Sequence, residues 1–102
     1  DFVNWVNNIK DKTLCGQHII FDVLFLQNHF KHYNLVWQFK RRLVDLHSIF
    51  YYHLLKNNVE IPDSGLGLDY IIKYLGLEKR GIHNALEDVR LTAKAFSILL
   101  EK

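Results

Sequence analysis

Asp22, His83 and Asp88 are the residues whose types and settings could do chemistry. Were His83 and Asp88 inside one helix, five steps of about 100° would set them roughly 140° apart, on different faces. Asn84 followed three residues later by Glu87 is close to a capping box, which starts the helix at Asn84 and leaves His83 in the loop before it. From there the imidazole can swing over the first turn, where Asp88 projects. Ala85, Thr92 and Ala95 beside Asp88 are small and leave room for a ligand. The helix N-terminus favours the ionised carboxylate, the form a metal ligand must adopt. Asp22 follows a strand end and a glycine, among Ile19, Ile20, Phe21, Val23 and Leu24. A carboxylate in so apolar a run is expected to be desolvated and to need a partner or a metal. The carboxyl end of a strand is also where α/β sheets hold their ligands. Each residue has a plainer reading: Asp22 as a helix N-cap, His83 as a loop histidine, Asp88 as an acid favoured by the helix dipole. Taken singly, none of them identifies an enzyme.

The elements that must position these residues follow from periodicity and punctuation. Phe2, Trp5, Val6 and Ile9 have helical spacing and predict a short amphipathic helix over 2–10. Thr13-Leu14-Cys15 reads as a short buried strand stopping at Gly16. From Ile20 to about Tyr33 the apolar positions are too dense for a surface stripe, which predicts a mostly buried helix. Residues 42–46 form a second strand candidate with Val44 at its centre. A helix is expected from Ser48 to Lys56, ended by Asn57-Asn58. Residues 59–67 hold Pro62 and two of the five glycines and read as a loop. Leu68, Ile71, Ile72 and Leu75 mark a further helix, with Gly76 placed to stop it. After the loop 77–83, the last helix runs from Asn84 to the end, with Leu86, Val89, Ala93, Phe96 and Leu100 as its expected core-facing stripe.

At 102 residues, 49% apolar and 24% charged, the chain is a single small α/β domain at most. Two short strands make a poor sheet by themselves, so a larger sheet is expected to be missing its partners. The chain starts in mid-pattern and reads as if cut from something longer. The net charge of +2 permits nucleic-acid binding without diagnosing it. The clusters Lys40-Arg41-Arg42 and Lys79-Arg80 read by default as solvated loop or helix ends. One cysteine, Cys15, builds neither a disulfide framework nor a cysteine zinc site, so a reducing, cytoplasmic setting is expected. No apolar run approaches the ~18 residues of a membrane span.

The segment Gly81-Ile82-His83-Asn84-Ala85-Leu86-Glu87-Asp88 resembles the third motif, His-x-Ala-x-x-Asp, of DEDDh (DnaQ-like) 3′→5′ exonucleases. Gly16-Gln17-His18-Ile19-Ile20-Phe21-Asp22 looks like their second motif, with Gln17-His18 in place of the usual His-Asn pair. Leu68 to Leu77 is similar to the helix approaching the third motif, and Val44-Asp45-Leu46 to the family's strand before a helix. The first motif, Asp-x-Glu, has no counterpart here, since Asp1 and Asp11 lack a following Glu at that distance. The resemblance implies a partial ribonuclease H-like fold, residues 1–102 being the helix-rich C-terminal part of one exonuclease domain whose N-terminal strands are absent.

By resemblance, the complete enzyme would hydrolyse DNA or RNA from a 3′ end with two Mg²⁺ or Mn²⁺ ions. Asp22 and Asp88 would be metal ligands, and His83 the general base. His18 and Phe21 would contact the terminal nucleotide, as aromatic groups do with single strands. Partners would be single-stranded 3′ ends and, as for proofreading subunits, a DNA polymerase. Residues 1–102 alone are expected to have little activity. The alternatives are a catalytically degenerate nucleic-acid-binding or polymerase-associated module, and a helical protein-interaction domain without a sheet.

Overall fold

Asn34, Asn58 and Gly76 are where three helices stop, and each takes a left-handed backbone conformation, with φ of 55°, 57° and 72°. The bonds after them are the same in each case. The N–H of Leu35, Val59 and Leu77 donates back to the carbonyl of Phe30, Leu54 and Ile72, at 2.8, 3.0 and 3.0 Å. Each closes a Schellman motif and satisfies carbonyls that a helix end would otherwise leave open. A Cβ added at Gly76 would meet nothing within 4 Å, so the strain of its φ is the only cost of a side chain there. Gly76→Ala is therefore expected to lower stability by about 1 kcal/mol. An unshifted urea midpoint would show that Gly76 is not what stops this helix.

The computed structural model describes residues 2–78 and 84–101. Its elements in order are α1 (Phe2–Asn7), β1 (Leu14–Gly16), α2 (Ile19–His32), β2 (Leu43–Asp45), α3 (Leu46–Lys56), α4 (Leu68–Tyr74) and α5 (Ala85–Glu101). β1 and β2 pair in parallel, Leu14 opposite Leu43 and Gly16 opposite Asp45, with α2 as the crossover. Pairing continues upstream of the strands, where Lys40 N–H donates to the Lys12 carbonyl at 2.9 Å. Beside it Arg42 reaches the Asp11 carboxylate at 3.3 Å. The Thr13 hydroxyl above all holds the Asp11 carboxyl below its usual range, against an opposing desolvation, with Arg42 and the Thr13 N–H adding to the lowering. An exposed pair of this kind is worth little to stability. The arrangement is mixed α/β, helix-rich, with a two-stranded parallel sheet.

The main core lies among α3, α4 and α5. Leu46, Phe50 and Leu54 recur every fourth residue on α3 and are fully buried against Leu66, Ile71, Ala95 and Leu99. Phe50 is ringed edge-on by Tyr70 and Tyr74, with centroids 5.9 and 5.2 Å away. A second aromatic group joins α1 to the start of the sheet. There Phe30 of α2 meets Phe2, Trp37 and Phe39 at 6.3, 5.2 and 6.2 Å.

Three expectations are corrected here. α2 is not mostly buried: only Ile19, Val23 and Phe30 are, while Phe21, Leu24 and Phe25 are 69%, 56% and 65% exposed. One stripe of α2 faces β1 and β2, and no described element covers the opposite face. For the same reason β1 is not a buried strand, since Cys15 is exposed. On α5 the core-facing stripe is Leu91, Ala95 and Leu99, not Leu86, Val89, Ala93, Phe96 and Leu100. Leu86, Val89, Ala93 and Leu100 are exposed, and only Phe96 of that set packs on the core. The two stripes lie about 140° apart at 100° per residue, and both are apolar, so periodicity alone could not choose between them.

Candidate active site at the strand ends

The ends of β1 and β2 are tied together by one carboxylate. Asp45, the last residue of β2, accepts the N–H of His47 on Oδ1 at 2.9 Å and so caps α3. The same Oδ1 accepts the N–H of His18 at 3.0 Å, and Oδ2 accepts the N–H of Ile19 at 3.2 Å. His18 occupies the cap position of α2 in a left-handed conformation, φ 53° and ψ 47°, and its own side chain makes no capping bond. Asp45 thus caps two helices, one adjacent in sequence and one across the strand pair. The His18 ring packs against the His47 ring, with centroids 4.4 Å apart and the planes tilted by 37°.

The turn between β1 and α2 is tight. A Cβ on Gly16 would come within 3.0 Å of Ile19 Cδ1. Gln17 turns inward, its Nε2 donating to the Leu66 carbonyl at 3.1 Å. Its Oε1 is buried with no partner among the described residues.

The expected site residues fall as follows. Asp22 lies in the first turn of α2, and Asp88 in the first turn of α5. Both helices pack against β1. Asp22 is exposed and makes no side-chain hydrogen bond or ion pair with a described residue. This corrects the expected desolvation, because the apolar neighbours Ile20, Phe21 and Leu24 are exposed with it. Asp88 is half-buried. Its spacing continues the inward stripe Leu91, Ala95, Leu99 by three residues toward the N-terminus, so it extends the core-facing side of α5. The cap expected at Asn84 is present: Asn84 Oδ1 accepts the N–H of Glu87 at 2.8 Å, and the Asn84 carbonyl accepts the N–H of Asp88 at 3.1 Å. The Thr92 hydroxyl donates to the Asp88 carbonyl at 2.7 Å. His18 and Phe21 are brought together, with ring centroids 6.4 Å apart. His83, with the rest of 79–83, lies outside the described residues.

Asp45 and His47 were missed from sequence. An aspartate directly before Leu46, with Ile49 and Phe50 following at helical spacing, is a cap signal, and it would have started α3 two residues earlier than expected. Nothing local could point to the bonds with His18 and Ile19, which lie 27 and 26 residues away.

Asp22 and Asp88 offer oxygen donors, the ligand type that suits hard divalent cations. No group of three or more His, Cys, Asp or Glu side chains is assembled for a metal among the described residues. Asp22 is exposed, and Asp88 is half-buried on the inward side of its helix. A cavity of about 350 Å³, lined by Tyr52, His53, Lys56, Asn57 and Tyr74 among others, lies toward the C-terminal end of α3. It is thus away from the end that Asp45 caps. No helix among the described residues is long and apolar enough to cross a membrane.

The chain has no significant match among curated proteins or among solved structures. A family model described as exonuclease matches residues 5–96, a span that runs from α1 into α5 and includes Asp22, Asp45 and Asp88. With nine-tenths of its length matched, this chain belongs to the exonuclease family.

Proposed function

We propose that this chain is the C-terminal part of a DEDDh-type 3′→5′ exonuclease domain with a ribonuclease H-like fold, acting on single-stranded 3′ ends. The observation that carries the reading is that Asp22 and Asp88 each stand in the first turn of a helix packed on β1, within the matched span. Exonucleases of this family generally use divalent metal ions. Bound Mg²⁺ or Mn²⁺ supplies charge neutralisation at the scissile phosphate and makes water easier to deprotonate.

The residues of the chain divide the remaining work. Asp22 and Asp88 hold the cations. The imidazole of His83 takes the proton of the attacking water, a task that suits histidine as a residue type because an unperturbed imidazole titrates near neutrality. The water oxygen bonds to phosphorus, and the bond from phosphorus to the 3′ oxygen of the preceding nucleotide breaks. A nucleoside 5′-monophosphate leaves, and a new 3′ hydroxyl remains. His18 and Phe21 lie against the terminal nucleotide, Phe21 offering an exposed ring. A DNA polymerase is a fitting partner if the role is proofreading.

Three of the five catalytic side chains of that class are present in residues 1–102. The test is therefore made on the full-length natural product of the gene, beside the 102-residue chain. Single-stranded DNA and RNA labelled at the 5′ end are incubated with Mg²⁺ or Mn²⁺. The full-length protein is expected to shorten one of them stepwise from the 3′ end, and to lose this with chelator and with Asp22→Asn. The 102-residue chain is expected to show little activity. Shortening that survives Asp22→Asn, or no metal-dependent shortening by the full-length protein, sinks the reading.

A further inference from the structure

We propose that Asp45 is a positioning residue: it holds the β1–α2 turn, and with it His18 and the first turn of α2 that carries Asp22, in register with the end of β2. The argument starts from what α2 lacks. A helix leaves its first N–H groups without intrahelical acceptors, and a cap side chain normally satisfies one of them. At α2 the cap position is held by His18, which gives no such bond. The acceptor comes instead from the neighbouring strand, as the two carboxylate oxygens of Asp45 at 3.0 and 3.2 Å from the N–H groups of His18 and Ile19.

The bonds also account for an unfavourable backbone. A non-glycine residue at φ 53° is strained and persists only where its surroundings over-determine it. Two of the contacts that hold His18 come from the end of β2 and the start of α3: its N–H on Asp45 Oδ1, and its ring against that of His47 at 4.4 Å. His47 is itself fixed by its N–H on the same oxygen, at 2.9 Å. One carboxylate therefore sets both histidines and the start of the helix on which Phe21 and Asp22 follow. Its effect on chemistry rests on the function proposed above, whereas its hold on the turn does not.

Asp45→Asn separates the two roles. Asparagine caps α3 as well as aspartate does and keeps an oxygen for His18 and His47. The position of Oδ2 becomes an NH₂ group, which cannot accept from Ile19. The experiment follows backbone amides of the 102-residue chain by NMR, through hydrogen exchange and through broadening by titrated Mn²⁺. In Asp45→Asn the Ile19 amide is expected to exchange at least about tenfold faster, with His47 protection kept. Broadening of the first turn of α2 is expected to need about tenfold more Mn²⁺. Gly76→Ala, which destabilises from α4, serves as the control and should move neither readout. The proposal is overturned if Ile19 exchange and Mn²⁺ dependence stay as in the wild type, or if Gly76→Ala shifts them equally. If Mn²⁺ fails to broaden the first turn of α2 even in the wild type, the nuclease reading loses its metal site. Ile19 exchange then still decides whether Asp45 holds the turn.

Discussion

Phe50→Ala is expected to leave the chain largely unfolded at room temperature, with the helical circular dichroism signal collapsing at little or no urea. Phe50 is fully buried at the middle of the α3 stripe, between Leu46 and Leu54 one turn away on either side. Its ring meets Tyr70 and Tyr74 edge-on and His53 face-on at 6.3 Å, so it joins α3 to α4 directly. Removing a buried phenylalanine to alanine costs about 3–5 kcal/mol through lost transfer energy and the cavity left behind. The edge-on pairs add roughly 0.5–1.5 kcal/mol each. A small domain has a total stability of about 5–15 kcal/mol, and one with a two-stranded sheet and an uncovered helix face belongs at the lower end. Phe50→Leu, which keeps most of the volume, should cost less than about 1.5 kcal/mol and stay folded. If Phe50→Ala melts in urea within a few tenths molar of the wild type, the core is not where the burial places it.

Asp88→Asn is expected to do the reverse: near-normal stability and a loss of about three orders of magnitude in kcat/KM for 3′-end hydrolysis by the full-length protein. The backbone bonds at this position, from Asp88 N–H to Asn84 and from Thr92 to the Asp88 carbonyl, do not depend on the side-chain charge. Losing a negative charge in the first turn of a helix costs about 0.3–1 kcal/mol of stability. Losing a carboxylate that holds a catalytic cation costs several kcal/mol of transition-state stabilisation, and about 4 kcal/mol is a thousandfold. The split between small stability loss and large activity loss is what marks a site residue. A folded variant with less than a tenfold activity loss would remove Asp88 from the mechanism.

The parts of this structure legible in the sequence are those decided within a few residues. Asn84 caps α5, Asn57-Asn58 and Gly76 end α3 and α4, and the strands form within a residue or two of where Gly16 and Val44 point. The cap and the helix endings each depend on a bond reaching three to five residues along the chain, and the strand positions on local residue preference. What could not be read depends on a distant partner. α5 carries two apolar stripes, and the side that α3 and α4 cover is the one that is buried. α2 is apolar on nearly every side, but β1 and β2 offer it one surface. Asp22 looked desolvated because its neighbours are apolar, and it is exposed with Ile20, Phe21 and Leu24 while Ile19 and Val23 are buried. The double cap of Asp45 is the same lesson in polar form. Its bond to His47 was visible as a local pattern, and its bonds to His18 and Ile19 need the sheet to exist first.

The parallel register of β1 and β2 has a consequence for how the molecule assembles. Leu14 and Leu43 meet only after the intervening segment, α2 included, has looped back on itself. Such closure spends chain entropy before any ladder bond returns it, so pairings distant in sequence form more slowly than local turns. The helix endings at Asn34, Asn58 and Gly76 need no such closure and can form within microseconds. The strand pair, and the carboxylate that fastens α2 to it, thus forms after those helix endings. A ribosome-bound chain can adopt it only once residue 45 has cleared the exit tunnel.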